Sequence, residues 1–237
     1  MLILAFETSA KACSAALLKD DSLLGEAYQN TGLTHSQTLL VMAEDLMKQC
    51  GVTENDIDAV AVAAGPGSFT GVRIGVAAAK GFAWGREIPC CGVSTLEAMA
   101  ANLGVYSGYI LPVMDARRNQ VYNAIFRAEN GTLQRLCDDR AIGLAELAEE
   151  LKNDETAKIV VGDGAKLCYT YLQQQGIACR MAPAALVMQN AVGVALAAEE
   201  LAAEGKTVSA HELVPVYLRL SQAERERLAK GLKITVD

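Results

Sequence analysis

A chain of 237 residues with 51% hydrophobic and 21% charged side chains can bury a core in one compact unit or two small lobes, which excludes a disordered protein. A formal net charge of −7 excludes nucleic-acid binding by a broad basic surface of the chain's own, so any role with nucleic acid is shared with a partner. Seven cysteines, scattered among apolar neighbours without CxxC or metal-ligand spacing, predict reduced core thiols and a cytoplasmic setting.

LILAF at 2–6 predicts a buried strand that closes on Glu7; with no basic stretch ahead of it, it reads as a strand and not as a signal peptide. Strands follow at 12–18 and 22–28 around a Lys19-Asp20-Asp21 turn. Thr34 and Gln37 have the spacing of a capping box, and Leu39, Met42, Ala43, Leu46, Met47 and Cys50 then share one helical face until Gly51. IDAVAVAA at 57–64 is a fourth strand. It runs into Gly65-Pro66-Gly67 and a small-residue helix that Pro66, Arg73 and Lys80 keep from reading as a membrane span.

From Tyr109 the order restarts. YILPVM ends at Asp115, VYNAIF is a strand, Glu129-Asn130-Gly131 turns, and TLQRLC returns. A helix over 143–153, the strand AKIVVG, Asp163-Gly164 and a helix over 166–176 complete the unit. A short strand IACRM, a long Ala/Glu helix over 184–204 and a tail follow. Two βββαβα units in series predict a duplicated α/β fold, with lobes at 1–105 and 106–218, the second one short, and a tail at 219–237.

GPGSFTG lacks the Gly-Lys-Ser/Thr ending of a P-loop and the GxGxxG spacing. It reads as a tight strand-to-helix turn, with an anion on the free helix amides as the sharper alternative. Gly71, Gly75, Ala79 and Ala83 form a smooth row that serves close packing, either within the lobe or against another chain. Glu7 and Asp115 close the first strand of each unit and are candidates for polar function in a cleft, or simply hold their own turns. Arg117 and Arg118 either hold an anion there or pair with acids such as Glu129 and Asp138. His35 sits in the first turn of a helix, far in sequence from His211, so neither builds a catalytic or metal-binding pair. Cys90 and Cys91 lie in a β-prone stretch and read as core.

AAGPGSFTGVRIGVAAAKGFAWGREIPCCGVSTLEAMA, MDARRNQVYNAIF and ELVPVYLRLSQAER, with THSQTLL and the opening strand, resemble the TsaB (YeaZ) family from Met1 to about Arg225. The resemblance implies the actin/sugar-kinase type of duplicated, ribonuclease H-like fold. It also implies a non-catalytic subunit for threonylcarbamoyl transfer to the N6 of an adenosine in tRNAs reading codons that begin with A. The expected partners are the catalytic relative TsaD and the ATPase TsaE, with a homodimer when alone, tRNA only within the complex, and no membrane. The catalytic relative carries a metal-binding His-x-x-x-His pair where this chain reads Thr95 and Met99. A hydroxyl and a thioether are poor ligands for a divalent ion, so no metal and no catalytic residue are expected here. The expected partner surface is His35, Leu39, Met42, Leu46, Gly71, Arg73, Gly75 and Ala79. No tightly bound cofactor is expected; weak nucleotide (ATP or ADP), in the cleft or at the subunit junction, stays open. The alternative readings are an ATP-dependent small-molecule kinase of the same fold, using Gly162-Asp163-Gly164 on the adenosine side, and a metallopeptidase, which the missing ligands disfavour.

Overall fold

Leu2–Glu7 (β1) is a near-continuous apolar run ending in Glu7 with all six residues buried, the pattern of a strand covered on both faces. The computed structural model describes residues 1–117 and 119–219. β1 pairs antiparallel with Cys13–Lys19 (β2), which turns through Asp20 and Asp21, both at positive φ, into Ser22–Gln29 (β3). His35–Cys50 (α1) follows, then Ala59–Gly65 (β4), Phe69–Trp84 (α2), Cys90–Ser94 (β5) and Thr95–Ala101 (α3). The first sheet has the order β3-β2-β1-β4-β5, with β4 and β5 parallel to β1.

The second sheet repeats this plan. Gly108–Asp115 (β6) takes the place of β1. The expected strand at 121–126 is two pieces, Gln120–Asn123 (β7) and Phe126–Glu129 (β8), both antiparallel to β6. The expected strand at 132–137 ends at Arg135 (Thr132–Arg135, β9, paired with β8), and a further strand that the sequence reading lacked, Arg140–Gly143 (β10), pairs with β7. The β8–β9 turn uses Asn130 and Gly131 at positive φ, matching Asp20-Asp21 in the first unit and suiting a two-residue hairpin. Leu144–Leu151 (α4), Lys158–Val161 (β11), Ala165–Gln174 (α5) and the short Arg180–Met181 (β12) complete the path β10-β7-β6-β11-β12. The same strand order twice in one chain is the signature of the duplicated actin/sugar-kinase fold.

Three expectations are corrected. The last helix, α6, spans Ala191–Ala203 and not 184–204, because the Asn190 side chain accepts the Gly193 amide and caps the helix there. It leaves the second unit and packs on the first sheet: Ala191, Val194, Ala195 and Ala198 lie against Ile3, Ala5 and Ala61. Thr34 is the N-cap of α1 but its side chain makes no capping bond; the Gln37 amide and the Thr38 hydroxyl both turn to its carbonyl instead.

The opposite face of the first sheet carries α1 and α2, where Leu4, Phe6 and Leu17 meet Leu39, Leu46, Val72 and Val76. Each such side chain contributes roughly 1.5–3 kcal/mol when fully buried. α3 joins the lobes. Its Leu96, Met99 and Ala100 share a core with Ile110, Phe126 and Val161 of the second sheet. Ser94 donates to Asp139, and Arg135 bridges Asp139 and Glu97 at 2.6 and 2.9 Å beside that core. Cys13, Cys90, Cys91 and Cys168 are buried, Cys50, Cys137 and Cys179 half-buried, and all seven are free thiols. Among the described residues no helix is long and apolar enough to cross a membrane.

Candidate functional site

The strand ends of the two sheets that carry Glu7 and Asp115 flank a cleft of about 610 Å³ between the lobes. Its first-lobe wall is Ser9, Ala10 and Lys11 from the β1–β2 turn with Gly67, Ser68 and Thr70 at the start of α2; Asp115, Arg117, Tyr122 and Asp163 form the other wall. α2 starts here because Ser68 has a non-helical backbone and its hydroxyl accepts the Gly71 amide at 3.3 Å. The Ser68 amide is taken by the Ser9 carbonyl at 2.7 Å, which locks the glycine turn onto the β1–β2 turn. Gly67 is required there, since a Cβ would come within 2.7 Å of the Ser9 side chain.

Glu7 lies just beneath this wall and is fully buried. One carboxylate oxygen accepts the Ser9 amide; the other has no partner. Burial, partly offset by the hydrogen bond from the Ser9 amide, pushes its carboxyl up to about 7. Asp163 is raised too, by burial first, while the Gln189 amide at 2.8 Å holds it in place. The buried Ser9 hydroxyl and the Gln189 carbonyl oxygen are also unpartnered, so the cleft floor is a polar cluster built from both lobes. Asp115 accepts the Arg117 amide at 2.7 Å, and Arg117 stands at positive φ on the rim. Of the acids suggested as arginine partners, Glu129 pairs with Arg127 at 3.4 Å; Arg118 lies outside the described residues.

Asp163 entered the sequence reading only through the Gly162-Asp163-Gly164 turn of the kinase alternative, and Gln189 went unassigned. A signal existed for the first: Gly162-Asp163-Gly164 follows β11 as Gly65-Pro66-Gly67 follows β4, so the duplication places both turns at the cleft. The glycines of the second turn serve backbone packing. A Cβ on Gly162 would fall on the Val113 carbonyl, and one on Gly164 would come within 3.0 Å of the Asp115 amide.

The smooth row on α2 faces inward. A Cβ at Gly71 would land on the Thr8 carbonyl oxygen and one at Gly75 on the Thr8 hydroxyl, while Ala79 and Ala83 are fully buried. Leu39 and Leu46 are core residues, Met42 is half-buried, and a His35 ring nitrogen bonds the Ala10 carbonyl at 2.8 Å. Five of the eight expected partner-surface residues are therefore interior. What α1 and its approach show to solvent is Leu33, Leu40 and Val41, each more than half exposed, and α2 adds Arg73.

Thr95 and Met99 are both buried, Met99 within the interlobe core with its sulfur 3.0 Å from where a Gly162 Cβ would stand, and the Thr95 hydroxyl has no partner among the described residues. A hydroxyl and a thioether in apolar packing do not fit a divalent metal, and no metal chemistry is derived for these positions. Among the described residues no group of three or more His, Cys, Asp or Glu could hold a metal ion.

Two ribonuclease H-like lobes, fused by an apolar α3 and enclosing a carboxylate-floored cleft, define a member of the actin/sugar-kinase class. The family model described as "TsaD: tRNA N6-adenosine threonylcarbamoyltransferase" matches residues 29–227. The tRNA threonylcarbamoyladenosine biosynthesis protein TsaB of Bacillus subtilis is 37% identical over 231 residues, covering 94% of this chain and 96% of that protein. The Escherichia coli protein of the same name is 33% identical, covering 92% and 95%. YeaZ from Pseudomonas aeruginosa superposes with a TM-score of 0.79 at 28% identity, covering 92% of this chain and 99% of its own. The chain belongs to the TsaB family.

Proposed function

We propose that this chain is a non-catalytic subunit of tRNA threonylcarbamoyladenosine biosynthesis that supports transfer by docking the catalytic relative TsaD. The observation that carries the reading is the fate of Thr95 and Met99: the positions that the resemblance assigns to the metal in that relative are here a buried hydroxyl and a buried thioether, while the family relationship is retained. Docking falls to the outer side of α1 and α2, on Leu40, Val41 and the half-buried Met42, with Arg73 at its margin. Without TsaD the same face takes a second copy of the chain. TsaE joins the assembly, and tRNA is met only within it, in keeping with the net charge of −7. The cleft holds no cofactor tightly; ATP or ADP makes weak contacts there or at the subunit junction, with Lys11 and Arg117 as the cations at hand.

Leu40→Glu and Val41→Glu test the surface, because both side chains are exposed and the folded chain should tolerate the change. Binding to TsaD should weaken at least tenfold, about 1.4 kcal/mol, with thermal unfolding unaltered and tRNA modification by the mixture reduced in step. Unchanged binding by both well-folded variants would move the docking surface elsewhere.

A further inference from the structure

The segment after α6 runs along α2 and then crosses to the other lobe. Lys80 donates to the His211 and Leu213 carbonyls at 3.1 and 3.0 Å, and the Leu213 side chain is buried in the first-lobe core. The Val216 amide donates to the Ala64 carbonyl at 2.7 Å. Gly65 makes that approach possible, since a Cβ there would fall on the Val216 carbonyl oxygen. The Tyr217 ring then stacks on Phe69 with centroids 4.7 Å apart, and its hydroxyl accepts from Arg73, whose guanidinium lies 4.0 Å over the Phe69 ring. Two residues later Arg219 reaches the second lobe, donating to the Ala116 carbonyl at 3.0 Å and the Gln120 side chain at 2.6 Å. Those two residues bracket the β6–β7 turn, closed by the Ala116 amide on the Gln120 carbonyl.

We propose that Leu213–Arg219 is a latch: a tie of fixed length that clasps the aromatic stack of α2 at one end and the β6–β7 turn at the other, and so sets the width of the cleft. Two residues of extended chain span at most about 7 Å. The lobes therefore cannot part along this edge without breaking the Tyr217 stack or the Arg219 bonds. Val216–Arg219 themselves line the cleft, so the latch lies along its edge and not on a remote surface. The other side of the interlobe junction has no comparable freedom, because α3 and the Arg135 bridges fuse it.

The distinguishing property of a tie is that cutting either end frees the far one. Backbone hydrogen exchange in the β6–β7 turn of the full chain reads this directly. Arg219→Ala should speed exchange of the Ala116 amide about threefold to tenfold, as expected for a partly exposed charged hydrogen bond. Tyr217→Ala should do the same although Tyr217 makes no hydrogen bond with the described residues of that turn. Phe69→Leu removes the same stack from the other side and serves where Tyr217→Ala perturbs folding, which thermal unfolding would reveal. A faster turn in Arg219→Ala alone, with Tyr217→Ala and Phe69→Leu unchanged, would reduce Arg219 to a local contact and overturn the latch. So would an unchanged turn in all three.

Discussion

Replacing Glu7 by glutamine separates what its charge does from what its shape does. The carboxyl is fully buried with one oxygen unpartnered, so ionising it in the folded chain forfeits hydration with one amide in return. Its folded value of about 7 lies above the ordinary 4.5, so between those limits the native state binds the proton and the unfolded state does not. The sign follows: Glu7's contribution is fully present below about pH 4.5, is lost as pH rises through about 7, and stays lost above. At about 1.4 kcal/mol per unit, the gap between 4.5 and about 7 corresponds to about 3 kcal/mol. Glutamine keeps the acceptor for the Ser9 amide and cannot ionise. Glu7→Gln should therefore match the native chain within about 1 kcal/mol at pH 5 and exceed it by about 2–3 kcal/mol at pH 8. Urea unfolding followed by circular dichroism at both pH values measures the difference. Asp154, held down at about 2 mainly by its bonds to Thr156, does not titrate in that window. An equal difference at both pH values would refute the buried-carboxyl reasoning. A variant less stable than the native chain at pH 8 would mean that the ionised carboxylate has a stabilising partner.

The glycines of α2 give opposite expectations along one helix. Gly71→Ala should destabilise by about 3 kcal/mol, since the β1 backbone at Thr8 must move, whereas Gly81→Ala, with nothing within 4 Å, should stabilise by about 0.5–1 kcal/mol; melting temperatures of the two variants check both signs. Ser68→Ala should remove about 1 kcal/mol by freeing the Gly71 amide, without altering binding to TsaD, as titration calorimetry would show.

Much of this fold is legible because its signals are local. Apolar runs mark β1 and β2, Asn130-Gly131 marks a hairpin, and repetition of the order marks the duplication. The split of 121–126 into β7 and β8 is not local: both pieces keep one register on β6, and the break at Ala124 and Ile125 falls opposite Leu111 and Pro112, the latter with no amide to donate to the ladder. The return of α6 to the first sheet leaves no trace in a helix of alanines that would suit either lobe. What separates it is Gly193, whose missing side chain lets α6 meet the Ala98 carbonyl of α3.

The candidate surface failed to read out for a related reason. A row of glycine and alanine every four residues records close approach but not what approaches. On α2 the neighbour is Thr8, whose hydroxyl donates to the Gly71 carbonyl at 2.8 Å and fills the space that Gly71 and Gly75 leave. Thr8 sits one residue beyond Glu7, so the smallness of α2 serves the cleft: it lets the end of β1 press against the helix and carries Glu7 into a site with no room for water-exposed charge. The docking face proposed above rests instead on what the packing of α1 leaves outside the core. Leu40 and Val41 stand outside the inward face that Leu39, Ala43, Leu46 and Met47 complete, each more than half exposed. An exposed Leu-Val pair on a helix whose core face is already filled is the ground on which the proposed docking surface rests.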